Sequence, residues 1–322
     1  MFNSIAKTFF ITTMLMLLCM TASAKDIKPL FRLQSQGAVT DFVIDGLELY
    51  ASNDIGTVDV FDLGSRKKIA EIVLEPLYDH VGEPIAPRIL SVDRRNGKTV
   101  IVSTGNNGYR NVWMHDGQRL EQIIGPKDKL CIKEARFIDD ERLMFGTLAY
   151  EMMLYDLSDG YSAYKHQIAQ GAFSDVVLSE DRTKMIAADE SGEVTLMDVE
   201  QAKVLHVLAS ENVDNVYKVA HSKGTVITAG QDRRVGVYLQ EGRSYHLKSD
   251  FLVYCVGLSP SGKIGVYSSG EESDLQVFNT RTAQESHRLV GHDRIVTNIS
   301  FINENELFSS GDEPYIFFWK LD

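Results

Sequence analysis

Histidine recurs on a fixed beat in this chain: His166, His206, His246 and His287 are separated by 40, 40 and 41 residues. Imidazoles that converge on one point bind transition metals or relay protons. Equal spacing argues the other way, because a repeat carries equivalent side chains apart, so these four cannot meet at one ion. They read as partly exposed positions on the outer strand of successive repeats. His80, His115, His221 and His292 form no ligand motif either, since the chain contains no H-E-x-x-H, C-x-x-C or C-x-x-C-H pattern for zinc or haem. The acidic turns Asp139-Asp140-Glu141, Asp189-Glu190 and Glu271-Glu272 lack the regular oxygen-ligand spacing of a calcium loop and read as solvated turns. No G-x-S-x-G elbow presents an activated serine, and neither Cys131 nor Cys255 has a histidine nearby in sequence. No catalytic, metal-binding or cofactor-binding residue is therefore assigned.

Recognition chemistry is easier to find. An insertion, Glu75-Pro76-Leu77-Tyr78-Asp79-His80-Val81-Gly82-Glu83-Pro84-Ile85-Ala86-Pro87, carries three prolines that narrow its ensemble and lower the entropic cost of presenting a surface. A second segment, Gly105-Asn106-Asn107-Gly108-Tyr109-Arg110, adds an aromatic ring and a guanidinium. Tyr78, His80, Tyr109 and Arg110 together form a candidate partner-binding rim, of the residue types enriched at protein interfaces. A structural or merely variable loop is the competing reading.

The elements that position these residues follow from a repeat. Phe61, Trp113, Tyr155, Met197, Tyr238, Phe278 and Trp319 fall at intervals of 52, 42, 42, 41, 40 and 41 residues, each near the end of a short apolar strand. A period near forty built of short strands predicts an all-β chain folded as a seven-bladed β-propeller. Blade one reads as strands over 38–45, 47–52, 57–63 and 67–74, with Asp45-Gly46, Asn53-Asp54 with Gly56, and Gly64-Ser65 as turns. The next blades cover 88–124, 131–168, 173–208, 216–247 and 252–289, while blade seven starts at 295 and has only three strands. A short strand over 28–33 has no place in blade one and is expected to complete blade seven, which hides an otherwise unpaired edge.

Strand order puts the connections between blades on the same side as the middle turn of each blade, so the insertion neighbours the 105–110 loop. Arg88, Glu134, Asp175, Tyr254 and Asn298 lie near the starts of inner strands and are candidates for the mouth of an axial channel. Polar capping of a wet channel is the simpler role for them, and a slip of one residue reverses their direction.

The chain resembles the WD-repeat family over 25–322. Trp319 occupies the family's tryptophan beat and Asp62, Asp156 and Asp198 its aspartate beat. Gly291-His292-Asp293 resembles the glycine-histidine motif before a first strand, with Val296, Ile299 and Phe301 at the apolar offsets, and Ser259-Pro260-Ser261-Gly262 resembles the turn after one. No other blade has the glycine-histidine pair, and Phe, Tyr or Met mostly replaces the tryptophan. The family's hydrogen-bond network from histidine to aspartate is thus expected to be mostly absent, leaving apolar packing to hold the blades. At a finer level the chain looks like the periplasmic WD-repeat accessory proteins encoded with periplasmic nitrate reductase in epsilon-class proteobacteria. That resemblance implies a supporting role toward a molybdenum reductase, in its maturation or electron transfer.

Residues 1–24 read as a signal peptide: Lys7, an apolar run over 9–20, and Ala22-Ser23-Ala24 ahead of Lys25. Cleavage after Ala24 would leave a single domain, 25–322, in the periplasm with 32 basic against 45 acidic side chains, a net charge of −13. Such a balance disfavours nucleic acid and anionic membranes and leaves a protein partner as the expectation, with no membrane insertion after cleavage. Cys131 and Cys255 lie three blades apart and are expected to be separate, small buried residues rather than a disulfide. The leading reading is a noncatalytic periplasmic interaction scaffold. The alternatives are a propeller enzyme, lactonase-like or quinone-dependent, and a small-ligand sensor.

Overall fold

The computed structural model describes residues 25–321. The expected signal peptide lies outside the described residues. Seven sheets are arranged as the blades of a propeller, five with their strands hydrogen-bonded in chain order and two with an N-terminal strand added at the outer edge. Blade one runs Val39–Asp45, Glu48–Asn53, Thr57–Asp62 and Lys67–Val73. Its two middle strands are almost wholly buried and its outer strand mostly exposed, which is the gradient expected when sheets stack face to face around an axis. The remaining inner strands are Ile89–Arg95, Ile132–Phe137, Phe173–Leu178, Val216–Ser222, Val256–Leu258 and Val296–Phe301.

Apolar side chains from adjacent blades interlock. Phe145 and Tyr155 of blade three pack with Val100 and Val112 of blade two, and Leu49 and Phe61 of blade one with Phe308 and Phe318 of blade seven. Each fully buried large side chain contributes about 1.5–3 kcal/mol. No blade could bury both of its faces alone, so this contribution exists only in the ring.

Closure occurs at blade seven, with a shifted boundary and an addition. Phe31–Gln34, rather than 28–33, pairs antiparallel with Tyr315–Lys320, placing Phe31 opposite Phe318 and Leu33 opposite Ile316. The Phe31 and Phe318 rings stack with centroids 4.6 Å apart. Before it, Lys25–Ile27 lies parallel to Glu285–Leu289 as a fifth strand of blade six, and Asp26 pairs with Arg288 at 3.0 Å. The N-terminal segment therefore clamps two blades.

Among the described residues the family's relay through histidine is complete in blade seven alone. In blade seven Trp319 Nε1 donates to Ser309 Oγ at 2.7 Å, and Ser309 Oγ meets His292 Nε2 at 2.7 Å. His292 Nδ1 meets Glu313 Oε1, also at 2.7 Å. The imidazole thus bridges the hydroxyl and the carboxyl group through its two ring nitrogens. Blade five repeats this relay in other residue types: Thr228 Oγ1 donates to Asn212 Oδ1 at 2.5 Å and Asn212 Nδ2 to Asp232 Oδ1 at 3.0 Å. Blade two keeps its first link, Trp113 Nε1 to Ser103 Oγ at 3.0 Å. Asp62, Asp156 and Asp198 instead cap the turn that follows them, each accepting a backbone N–H at 2.7 Å.

His166, His206 and His246 lie on outermost strands, whereas the strand of His287 is covered by Lys25–Ile27; all four are exposed or half-buried. Among the described residues Cys131 and Cys255 are free thiols; Cys255 is buried, with its pKa pushed up to about 12 by burial, whereas Cys131 is half-buried rather than core. Among the described residues no helix is long and apolar enough to cross a membrane.

Candidate functional site

The insertion folds into a small hairpin. Leu77–Tyr78 pairs with Pro84–Ile85, and Asp79 organises the turn between them. The Asp79 Oδ1 atom accepts from Val81 N at 2.9 Å and Glu83 N at 2.8 Å, and Asp79 N donates to Glu83 O at 3.0 Å. A carboxylate holding its own downstream amides is the usual device for fixing a polar turn. At its base, Pro87 sits against Gly56 in the middle turn of blade one. Gly56 has φ +84°, and a Cβ there would lie 2.9 Å from the Pro87 ring, so glycine is required twice over.

What this hairpin displays is apolar. Tyr78 is 61% exposed, Val81 68% and Ile85 50%. His80 is exposed beside them. Ile55 and Leu148, in the middle turns of blades one and three, are also exposed on this side of the ring. Exposed apolar residues scattered singly are ordinary; several on one side of neighbouring blades mark a contact surface.

The hairpin and the 105–110 loop leave the same sheet edge, because Thr104 N donates to Arg88 O at 2.8 Å. Among the described residues no hydrogen bond or ion pair joins the two segments. Tyr109 and Arg110 are half-buried, and Arg110 Nη1 folds back onto Gly108 O at 2.9 Å. Its Nε is buried without a partner. Tyr78 and His80 are thus fully presented, while Arg110 shapes its own loop.

A second constellation lines the channel. Six of the seven inner strands slip by one residue against the neighbouring strand at the same place, just after Val39, Ile89, Ile132, Phe173, Val216 and Val296. The bulge re-aims the next side chain. Asp41, Ser91, Glu134, Asp175, Lys218 and Asn298 occupy that position, and Cys255 is its counterpart in blade six. From it they reach the next blade: Asp41 accepts from Val92 N at 3.0 Å, Asp175 from Val219 N at 2.8 Å, and Asn298 donates to Thr40 O at 3.2 Å.

Cations balance this ring. Arg136 lies 3.1 Å from Glu134 and 3.5 Å from Asp41, Lys218 lies 2.9 Å from Asp175, and Lys133 Nζ donates to Ser174 O at 2.5 Å. Burial, reinforced by the charge of Asp175, pushes the Glu134 pKa up to about 8. Burial opposes the Asp175 charge as well, but Lys218 and the Val219 amide outweigh it and hold that carboxyl below the usual range. The cavity alongside measures about 470 Å³ and includes Asp41, Arg136, Asp175, Lys218 and Asn298 in its wall. Its acidic groups already have cationic partners, and among the described residues no group of three or more His, Cys, Asp or Glu side chains is placed to hold a metal. The arrangement ties blades together electrostatically.

Of the five residues expected at the channel mouth, Glu134, Asp175 and Asn298 belong to this ring. Tyr254 falls one residue early, at the place where the other blades have their bulge, and stacks on Tyr217 with centroids 5.5 Å apart. Arg88 precedes its strand and is exposed, and its contribution is the carbonyl that receives Thr104. Sequence reasoning missed Asp41, Arg136 and Lys218. The usable signal was a polar residue two places after an aliphatic or aromatic strand start, as in Val39 and Asp41 or Val216 and Lys218.

No family model matches the chain, and a search of curated proteins finds no match. Among solved structures it is similar to the β-propeller domain of Cps50 (Swd1) from Myceliophteria thermophila, with a TM-score of 0.71 at 14% identity, covering 91% of this chain and 99% of that one. In all, 1843 solved chains match, so the likeness selects an architecture and not a partner. The chain is an all-β, seven-bladed propeller sealed by its N-terminal strand.

Proposed function

We propose that the chain is a noncatalytic interaction scaffold whose protein partner docks on the side of the ring bearing the 75–87 hairpin. The observation that carries this reading is that hairpin: a turn braced by Asp79 presents Tyr78, Val81 and Ile85 to solvent above an otherwise regular ring. Aromatic and aliphatic side chains held at low entropic cost are what anchor an interface. Tyr78 and His80 form its presented part, and Tyr109 and Arg110 the adjoining wall. The acidic balance of the chain favours a neutral or basic partner surface. The export-type leader supports a periplasmic setting, and there the narrower reading is support of a redox enzyme such as periplasmic nitrate reductase.

Native pull-down from periplasmic extract tests both levels. The tagged chain captures its partner, the double variant Tyr78→Ala with Arg110→Ala captures less, and deletion of 76–86 captures none, while both variants retain a cooperative thermal transition. Undiminished capture by the deletion variant removes the hairpin from the interface. Recovery of reductase subunits supports the narrower reading, and enrichment of a different complex rejects it.

A further inference from the structure

A cleft of about 890 Å³ opens between blades four and five, on the side of the ring away from the hairpin. Its wall includes Ile186, Leu196, His206, Leu208, His221 and Gln240. The two neighbouring blades close the corresponding space with a tyrosine. On the outer strand of blade three, Tyr164 pairs with Leu154 and donates its hydroxyl to Val199 O of blade four at 2.7 Å. On the outer strand of blade five, Tyr245 pairs with Val237 and donates to Thr280 O of blade six at 2.5 Å. In both cases a phenol spans to the next blade and ends on a carbonyl two residues past that blade's aromatic or Met beat, Met197 or Phe278.

Blade four departs from this pattern. The register that places Tyr164 opposite Leu154 and Tyr245 opposite Val237 places His206 opposite Leu196. The residue two past Tyr238, matching Val199 and Thr280, is Gln240. His206 is exposed and its ring makes no hydrogen bond, so the phenol and its bond are both missing where the cleft opens. The volume lies within the range of small-molecule sites. A second unused group lines it: His221 Nδ1 is buried without a partner, and burial holds the imidazole toward its neutral form.

We propose that this cleft binds a small phenolic molecule, whose ring takes the place that neighbouring blades fill with their own tyrosine. The aliphatic wall of Ile186, Leu196 and Leu208 receives the ring, the Gln240 carbonyl receives its hydroxyl, and His221 offers a second polar contact. The site lies on the opposite side from the hairpin, so its loss leaves the partner-binding reading untouched.

Titration of the isotopically labelled full chain with 4-ethylphenol tests this, with ethylbenzene as the ring lacking the hydroxyl. 4-Ethylphenol is expected to shift amide resonances of 203–208 and 238–242, and ethylbenzene to bind about tenfold more weakly, the worth of one sheltered hydrogen bond. His206→Tyr restores the residue of blades three and five and is expected to abolish both shifts. Absence of shifts in these segments at millimolar phenol overturns the proposal in the unmodified chain, whatever the variant does. So does equal binding of the two probes, or unchanged binding by a folded His206→Tyr chain.

Discussion

Replacing Glu134 by glutamine should flatten the alkaline side of the stability profile. Glu134 is 4% exposed and faces Asp175, with Arg136, Lys133, Lys218 and Asp41 completing its charged surroundings. Its carboxyl ionises near 4.5 in the unfolded chain and near 8 in the ring. Between those values the folded state holds a proton that the unfolded state has released, so stability falls as pH rises through that window and levels off above it. Each pH unit inside the window costs about 1.4 kcal/mol at most, so from about pH 5.5 to about pH 8.5 the loss is on the order of 3 kcal/mol. Glutamine cannot ionise, but it keeps a donor toward Asp175 and an acceptor toward Arg136. Urea denaturation of both chains across this range is the assay. The expected result is near-equal stability at the acid end and a glutamine variant more stable by a few kcal/mol at the alkaline end. Parallel profiles would refute a carboxyl whose burial outweighs its cationic neighbours at this position.

Three further changes probe other parts of the ring. Leu33→Ala empties a position 2% exposed in the sealing strand and should cost about 2–5 kcal/mol by denaturant titration, more than the same change at an exposed leucine. Ser309→Ala removes the middle of the relay from Trp319 to Glu313, leaving a buried imidazole nitrogen and indole N–H unpaired. It should lower stability by about 1–3 kcal/mol, and a loss below about 0.5 kcal/mol would mean that the relay is ornamental. Asp79→Ala should free the hairpin without weakening the ring: rapid amide exchange at Val81 and Glu83 with an unchanged Tm is expected, and a lowered Tm would show that the hairpin is structural.

The repeat was legible because its period is set by packing: an aromatic or Met residue must return wherever a blade meets its neighbour, and Phe61 to Trp319 do so. Other features were hidden for physical reasons. The bulge inserts one residue into six of the seven inner strands, and alternation cannot reveal a residue that has no partner; Tyr254 and Asn298 consequently looked equivalent although they occupy different positions. The blade-five relay was invisible because Asn212, Thr228 and Asp232 perform the same donor-to-acceptor sequence as His292, Ser309 and Glu313 with other side chains. Lys25–Ile27 is too short to show a pattern and takes its partner from blade six, far along the chain. The hairpin consists of two residue pairs, one containing Pro84, flanked by Pro76 and Pro87, and its order comes from Asp79 rather than from strand propensity. The cleft between blades four and five emerges only when the register aligns Tyr164, His206 and Tyr245, since the histidine on its own looked like one more exposed member of a series.

Placing a photoreactive side chain at Tyr78, and in a second chain at Tyr161, asks the central question directly. Both positions are well exposed, at 61% and 74%, but Tyr161 lies in the outer turn of blade three on the opposite side of the ring. Irradiation in native extract is expected to give one covalent partner band from position 78 and none from 161. The same band from both positions, or from 161 alone, would contradict a partner surface on the hairpin side.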